Sequence, residues 1–278
     1  MSNSKSSVTL CEAALDVLNT PDARLKAEKT REYAALWRAG KMNEVGLDRV
    51  DLPDRPARPK KPELRHATKM PKRRKAGSPA SKIALLHALA HIELNAIDLA
   101  WDVMARHFDL GGFALPKAFY DDWIKVADDE AKHHLMLEER LNDLGASYGD
   151  LPAHDGLWEA SERTAQDFAA RLAIVPMVLE ARGLDVTPGM IETMNKQGDE
   201  KTAGMLQIIH DDEITHVEAG TIWFKKYCAY NNKDEETYFQ ELVKKYFNAA
   251  LKKPFNHPSR EEAGMIRDWY EPLAEEAA

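Results

Sequence analysis

Apolar residues recur along most of this chain at spacings of three and four, the period of one helix face, and nowhere in strict alternation. Leu10, Ala13, Ala14, Val17 and Leu18 lead into an Asn19-Thr20-Pro21 break. A second segment from Pro21 to Ala39 stops at Gly40, so two helices are predicted between residues 8 and 39. Ser81 is read as the N-cap of a longer helix running to about Phe108, before Gly111-Gly112. Pro116 is a first-turn proline of the next, which continues to Leu144 before Gly145. Gly156 opens a third long helix, whose apolar face runs through Trp158, Ala165, Phe168, Leu172 and Met177. Thr187-Pro188 starts a fourth, bending around Gly198 and Gly204 and reaching about Tyr230. Two more are predicted at 234–252 and 259–275, the last from the capping box Ser259-Arg260-Glu261-Glu262. The expected fold is all-α. N-terminal helices and an arm occupy 1–80, a four-helix bundle 81–232, and C-terminal helices packing on the bundle 233–278.

Carboxylates interrupt the apolar faces of that bundle in a repeated way. Asp129-Glu130-Ala131-Lys132-His133 returns as Asp212-Glu213-Ile214-Thr215-His216, and in each copy a carboxylate and an imidazole three residues apart share a helix face. Upstream, Glu93 lies among Leu86, Leu89, Ala90, Ala96, Ile97, Ala100 and Met104, and Glu180 among Leu172, Ala173, Met177 and Leu184. The separations from lone Glu to Glu-x-x-His are 37 and 33 residues, so the halves read as two copies of one hairpin. A glutamate on a core face is costly unless it is paired or coordinates a metal. One inward Glu from each of two helices, with Glu-x-x-His from each of two more, is the ligand set of a di-metal carboxylate bundle. Glu93, Glu130, His133, Glu180, Glu213 and His216 are therefore the candidate ligands.

Neighbouring residues leave alternatives open. His134 stands at i+4 from Glu130 and competes with His133, which the second motif favours. His210, one turn before Glu213, is an extra ligand or a hydrogen-bonding neighbour. Asp129 and Asp212 are candidate acceptors for the N–H of metal-bound histidines; Asp98 and Asp102 are either such partners or solvated. His91 points away from Glu93, and His257 sits in the rigid loop 253–258 as a structural residue. Pro176 should free the carbonyl near Leu172 and kink the helix four residues ahead of Glu180.

The four-helix ligand pattern resembles the ferritin-like di-iron carboxylate superfamily. The run Leu86 to Asp102, with Asp129 to Gly145, Tyr148-Gly149-Asp150-Leu151-Pro152, Arg171 to Asp185, Asp211 to His216 and Pro254-Phe255-Asn256, is similar to the bacterial group catalogued as domain of unknown function family 455. The superfamily resemblance implies a ferritin-like bundle with two irons: Glu130 and Glu213 bridging or flanking them, His133 and His216 terminal, Glu93 and Glu180 completing the shells. Carboxylates and neutral imidazoles suit iron(II) or manganese(II). The resemblance does not choose a reaction, since relatives include iron stores, oxygenases, desaturases, radical generators and a tRNA hydroxylase. The expected activity is that of an oxidoreductase using dioxygen, an unidentified small organic substrate and an electron donor. The alternatives are metal handling of the ferroxidase type and hydroxylation of RNA.

Composition narrows this a little. With 44% hydrophobic and 30% charged residues the chain has ordinary globular texture, and its net charge of −8 argues against nucleic-acid binding over the whole surface. One proline-rich tract between Asp51 and Pro79 is basic, through Lys60, Lys61, Arg65, Lys69, Lys72, Arg73, Arg74 and Lys75. It reads either as a polyanion footprint or as an arm laid over an acidic bundle, and it lacks the interleaved aromatics that stack bases. Cys11 and Cys228 form no metal or disulfide pattern. No apolar run approaches about 20 residues, and Met1-Ser2-Asn3-Ser4-Lys5 carries no signal-like stretch, so a cytoplasmic protein away from the membrane is expected. Phosphate loops, nucleophile elbows and dinucleotide fingerprints are absent.

Overall fold

The structure, a computed structural model, describes residues 8–47, 50–70, 78–247 and 249–274. Among these residues the regular structure is helical throughout, with isolated bridges joining Leu64 to Ala153 and Leu251 to Ala274. The all-α expectation holds. Tertiary contacts divide the chain into two units, Met1–His107 with Pro116–Trp158, and Phe108–Leu115 with Glu159–Ala278.

The first unit opens with α1 (Leu10–Leu18) and α2 (Ala23–Arg38), as the apolar spacing predicts. Thr9 and Glu12 satisfy each other's backbone N–H groups in a capping box, at 3.2 and 2.7 Å. α3 (Pro79–Ala105) is capped by Ser78 rather than Ser81, its Oγ accepting from the Ser81 N–H at 3.1 Å. Pro79 then takes the first helical position, where its missing N–H is no loss. α3 ends three residues before the predicted Phe108 because Arg106 is already extended. This helix is long and apolar enough to cross a membrane, contrary to the sequence reading, but 67% of that stretch is buried within the protein, as in a core helix. α4 (Lys117–Asp143) packs along α3 and α2.

Residues 50–66 form an extended strap on this unit. The Arg58 guanidinium reaches Asp98 and donates to Asn95 Oδ1 at 2.6 Å; Lys26 Nζ donates to the Ala57 carbonyl at 3.1 Å, and Trp158 Nε1 to the Asp54 carbonyl at 3.3 Å. The strap's Ala57 and Asp54 carbonyls are thus satisfied by side chains of the helices beneath it. Lys60, Lys61, Arg65 and Lys69 are exposed, Arg65 pairing with Glu63, whereas Lys72, Arg73, Arg74 and Lys75 lie outside the described residues.

α5 (Gly156–Arg163) leads into the second unit. The predicted third helix is broken here. Thr164 turns its hydroxyl back onto the Ala160 carbonyl (3.0 Å), and Asp167 caps a new helix, α6 (Phe168–Ile174), accepting from the Ala170 N–H at 3.0 Å. One π-helical turn, Val175–Glu180, follows, and the chain returns to α-helix as α7 (Ala181–Lys196). Pro188 therefore lies inside α7 and does not begin a helix. The carbonyl its missing N–H strands, that of Leu184, accepts instead from Asn256 Nδ2 at 3.1 Å. The interruption falls at Gly198, whose φ is 71°, and α8 (Glu200–Tyr230) runs unbroken past Gly204 from its Asp199 cap. α9 (Glu235–Tyr246) is shorter than predicted. The last predicted helix is two pieces, α10 (His257–Glu262), capped by Asn256 rather than Ser259, and α11 (Arg267–Tyr270), separated at Gly264 with φ 79°. Phe224, Phe239 and Trp269 pack ring against ring in this unit's core.

Candidate metal centre

The apolar stripe of α3 carries Glu93 inward, and that of α4 carries Glu130 and His133. The three are 2%, 0% and 0% exposed. His133 Nδ1 lies 3.3 Å from Glu93 Oε2 and 3.7 Å from Glu130 Oε2, and one donor atom from each residue falls within 4.8 Å of the others. Burial, then the neighbouring charge of Glu130 and a hydrogen bond with it, hold the Glu93 carboxyl well above the usual range; His133 pulls the other way. Two carboxylates this close and this dry cannot both be charged unless a cation offsets them. The donors, hard oxygens with an imidazole nitrogen, are those of a divalent first-row ion, so this buried group could hold a metal.

The second unit repeats the residue types. On α8 His216 is fully buried and Glu213 8% exposed, with Nδ1 3.6 Å from Oε2. Glu180 ends the π-helical turn and is partly exposed. The distortion predicted from Pro176 is present as that turn rather than as a simple kink, since widening the helix absorbs the missing N–H.

His134, the competing histidine, donates from Nδ1 to the Ala90 carbonyl at 2.8 Å, pinning α4 to α3 one turn before Glu93, and burial pushes its pKa down to about 4. Asp98 is not a histidine partner: Lys26 Nζ at 2.5 Å and Arg58 occupy its carboxylate, which is fully buried with Lys26. Asp102 takes Arg106. Asp129 accepts from Lys125 and Lys132, both at 2.9 Å, near the surface. The Asp212 carbonyl accepts from the Thr215 hydroxyl at 2.8 Å. His210 places Nε2 3.4 Å from Ser259 Oγ. His257 meets the Tyr270 hydroxyl at 2.8 Å, the structural role foreseen for it.

Two features escaped sequence reasoning. Tyr148 is enclosed by three histidines: its ring stacks on His87 and His91 and meets His134 edge-on. His91 Nε2–H donates to the His154 carbonyl (3.2 Å), leaving Nδ1 to accept from the Tyr148 hydroxyl at 2.8 Å. Burial and the charge of Arg58 push the His91 pKa down to about 3. In the second unit the buried Arg260 clamps Asp185 with two bonds, at 2.8 and 2.7 Å. Nothing in residue spacing signals either, because each joins segments distant in sequence.

Comparison with known proteins bears out the resemblance to domain of unknown function family 455, and nothing in it bears on the ferritin-like resemblance. An uncharacterized protein of Haemophilus influenzae is 41% identical over 191 residues, 67% of this chain; the chain covers 66%, just under two thirds, of that protein's length. No solved structure matches the chain. The family described as protein of unknown function (DUF455) matches residues 19–271, a span that takes in all six candidate ligands, the strap and the Asn256 loop. The chain belongs to that family.

Proposed function

We propose that Glu93, Glu130, His133, Glu180, Glu213 and His216 together hold two divalent ions, iron or manganese, in a ferritin-like setting, and that the protein is an oxidoreductase activating dioxygen toward a small organic substrate. The observation that carries this reading is the dryness of the first-unit set: two glutamates and a histidine at 0–2% exposure, within ligand distance of one another. Four carboxylates balance the charge of two divalent ions, so the whole set tolerates burial that a lone glutamate would not.

The side chains have separate tasks. Glu93 and Glu130 bind through oxygens from two helices, and His133 supplies a neutral nitrogen. His134 keeps α4 in register with α3 through the Ala90 carbonyl, so that ligands from both helices stay at one level. Leu94, Ile97, Ala127 and Leu137, each fully buried, exclude water from that level. A pair of iron(II) ions, when bound, supplies the electrons for dioxygen reduction, with an external donor restoring them.

The test is to load metal-free protein with iron(II) or manganese(II), count ions per chain, and record electron paramagnetic resonance and dioxygen consumption. Two spin-coupled ions, with oxygen uptake by the iron form that rises on adding cell metabolites in the presence of a chemical reductant as electron donor, are the expected result. Uncoupled single ions, or iron oxidation that stops after one turnover with every metabolite fraction, would refute the dinuclear oxidoreductase.

A further inference from the structure

Glu180 is not carried on a regular α-helix as Glu93 is. α6 gives way at Val175 to the π-helical turn, and the α-helix resumes only at Ala181, directly after Glu180. Pro176, the second residue of that turn, has no N–H to return to the Leu172 carbonyl. The wider turn inserts one extra residue, and because each residue of an α-helix rotates by about 100°, everything beyond it is re-aimed relative to α6 by about that angle. Glu180 is the position where the re-aiming takes effect.

A glycine on α8 receives this turn. A Cβ placed on Gly220 would lie 2.4 Å from Pro176 Cγ and 2.6 Å from Pro176 Cβ, with Met177 Cγ at 3.6 Å. The two proline separations are impossible for real atoms, and a proline ring, tied to its own backbone, cannot swing aside. Glycine in mid-helix sacrifices about 1 kcal/mol relative to alanine, so its presence in unbroken helix calls for a reason. The close approach of Pro176 is that reason. Gly220 is also four residues beyond His216 and seven beyond Glu213, which puts the proline seat on the α8 face that bears both candidate ligands.

We infer that the seat of Pro176 on Gly220 is a positioning device: it holds the π-helical turn against α8 and sets the aim of Glu180, so that ion binding by the second-unit set depends on the absence of a side chain at position 220. This rests on the metal reading above and adds two residues that contact no ion.

The experiment is a calorimetric titration of manganese(II) into metal-free full-length protein, with circular dichroism to confirm folding. Gly220→Ala pushes the proline ring out of its seat. Pro176→Ala restores an N–H that can close a regular α-helical bond to Leu172 and so removes the π-helical turn. Each should leave one ion at wild-type affinity and weaken the other by about tenfold or more, the range for residues that orient ligands. Combining Gly220→Ala with Glu180→Gln should add nothing further, whereas combining it with Glu93→Gln should weaken both ions. Folded Gly220→Ala or Pro176→Ala protein that binds both ions as wild type does, or losses that add to those of Glu180→Gln, would overturn the inference. If Gly220→Ala does not fold, Pro176→Ala decides the matter alone, because it introduces no clash. Wild-type protein that takes up no second ion refutes the metal reading itself, and the positioning role with it, which separates that failure from a failure of the seat alone.

Discussion

Replacing Glu93 with glutamine should stabilise the metal-free protein above mildly acidic pH while removing most of the stabilisation that divalent ions give. Glutamine keeps the size of the side chain but carries no charge. In the native protein burial, reinforced by Glu130, raises the Glu93 pKa well above its ordinary value of 4.5. An acid raised in this direction contributes its stability below its unfolded value and loses it as pH climbs toward the folded value. Across that window the loss is about 1.4 kcal/mol per pH unit, and the glutamine variant lacks this slope. The difference between the two metal-free proteins should therefore widen steadily from about pH 5 upward. Manganese(II) at a hundred times its dissociation constant adds about 2.7 kcal/mol to wild type, which at about 2–4 °C per kcal/mol raises Tm by about 5–10 °C. Urea denaturation of both proteins at several pH values, with and without the ion, measures every quantity. Parallel pH dependence of the two metal-free proteins, or equal stabilisation of both by manganese, would refute the account of a charge held for a cation.

Other perturbations probe the frame around the centre. Asp98→Ala should destabilise the protein by about 3–5 kcal/mol in urea, because it strands Lys26 and Arg58 without their shared anion, whereas Glu28→Ala at an exposed pair should change it by less than about 1 kcal/mol. Asn256→Asp keeps an oxygen to cap α10 but loses the donor that serves the Leu184 carbonyl above Pro188; unfolding should become easier by about 1–3 kcal/mol, and an unchanged midpoint would show that carbonyl to be satisfied otherwise. His87 accepts backbone N–H groups from Gly149 and Leu151 at 2.9 and 3.4 Å, and burial lowers its pKa. A histidine lowered in this way stabilises above its unfolded value of about 6.5, and that stability is lost as pH falls from there toward the folded value, so native protein should weaken below about pH 6.5 more steeply than a His87→Gln variant. Denaturation midpoints across that range check the sign.

How much of this was legible in the chain depends on whether the signal was local. Helix periodicity, the repeat of Glu-x-x-His, and Glu93 inside its apolar stripe are local patterns, and they carry the all-α fold and the inward place of Glu93, Glu130 and His133 among the six candidate ligands. Pro188 lies beyond the reach of local patterns. A proline after threonine is a sound helix start when only neighbours are considered, but an asparagine about 70 residues away satisfies the orphaned carbonyl and lets the helix continue. Asp98 is similar: its place on the helix makes it either a hydrogen-bonding neighbour of the candidate ligands or a solvated residue, and only the approach of Lys26 from α2 and Arg58 from the strap decides its burial and its partners. The break of the third helix at Thr164 and Asp167 turned on capping groups that compete with helix continuation nearly evenly, so packing of Arg171 against that corner decided it. By itself the sequence determined which helix faces turn inward and what chemistry Glu93, Glu130 and His133 bring to them, because periodicity and residue type act within one element. Tertiary structure alone decided which hydrogen bonds and charges from distant segments meet them, because a stranded carbonyl or carboxylate is satisfied by whatever the folded chain places within about 3 Å.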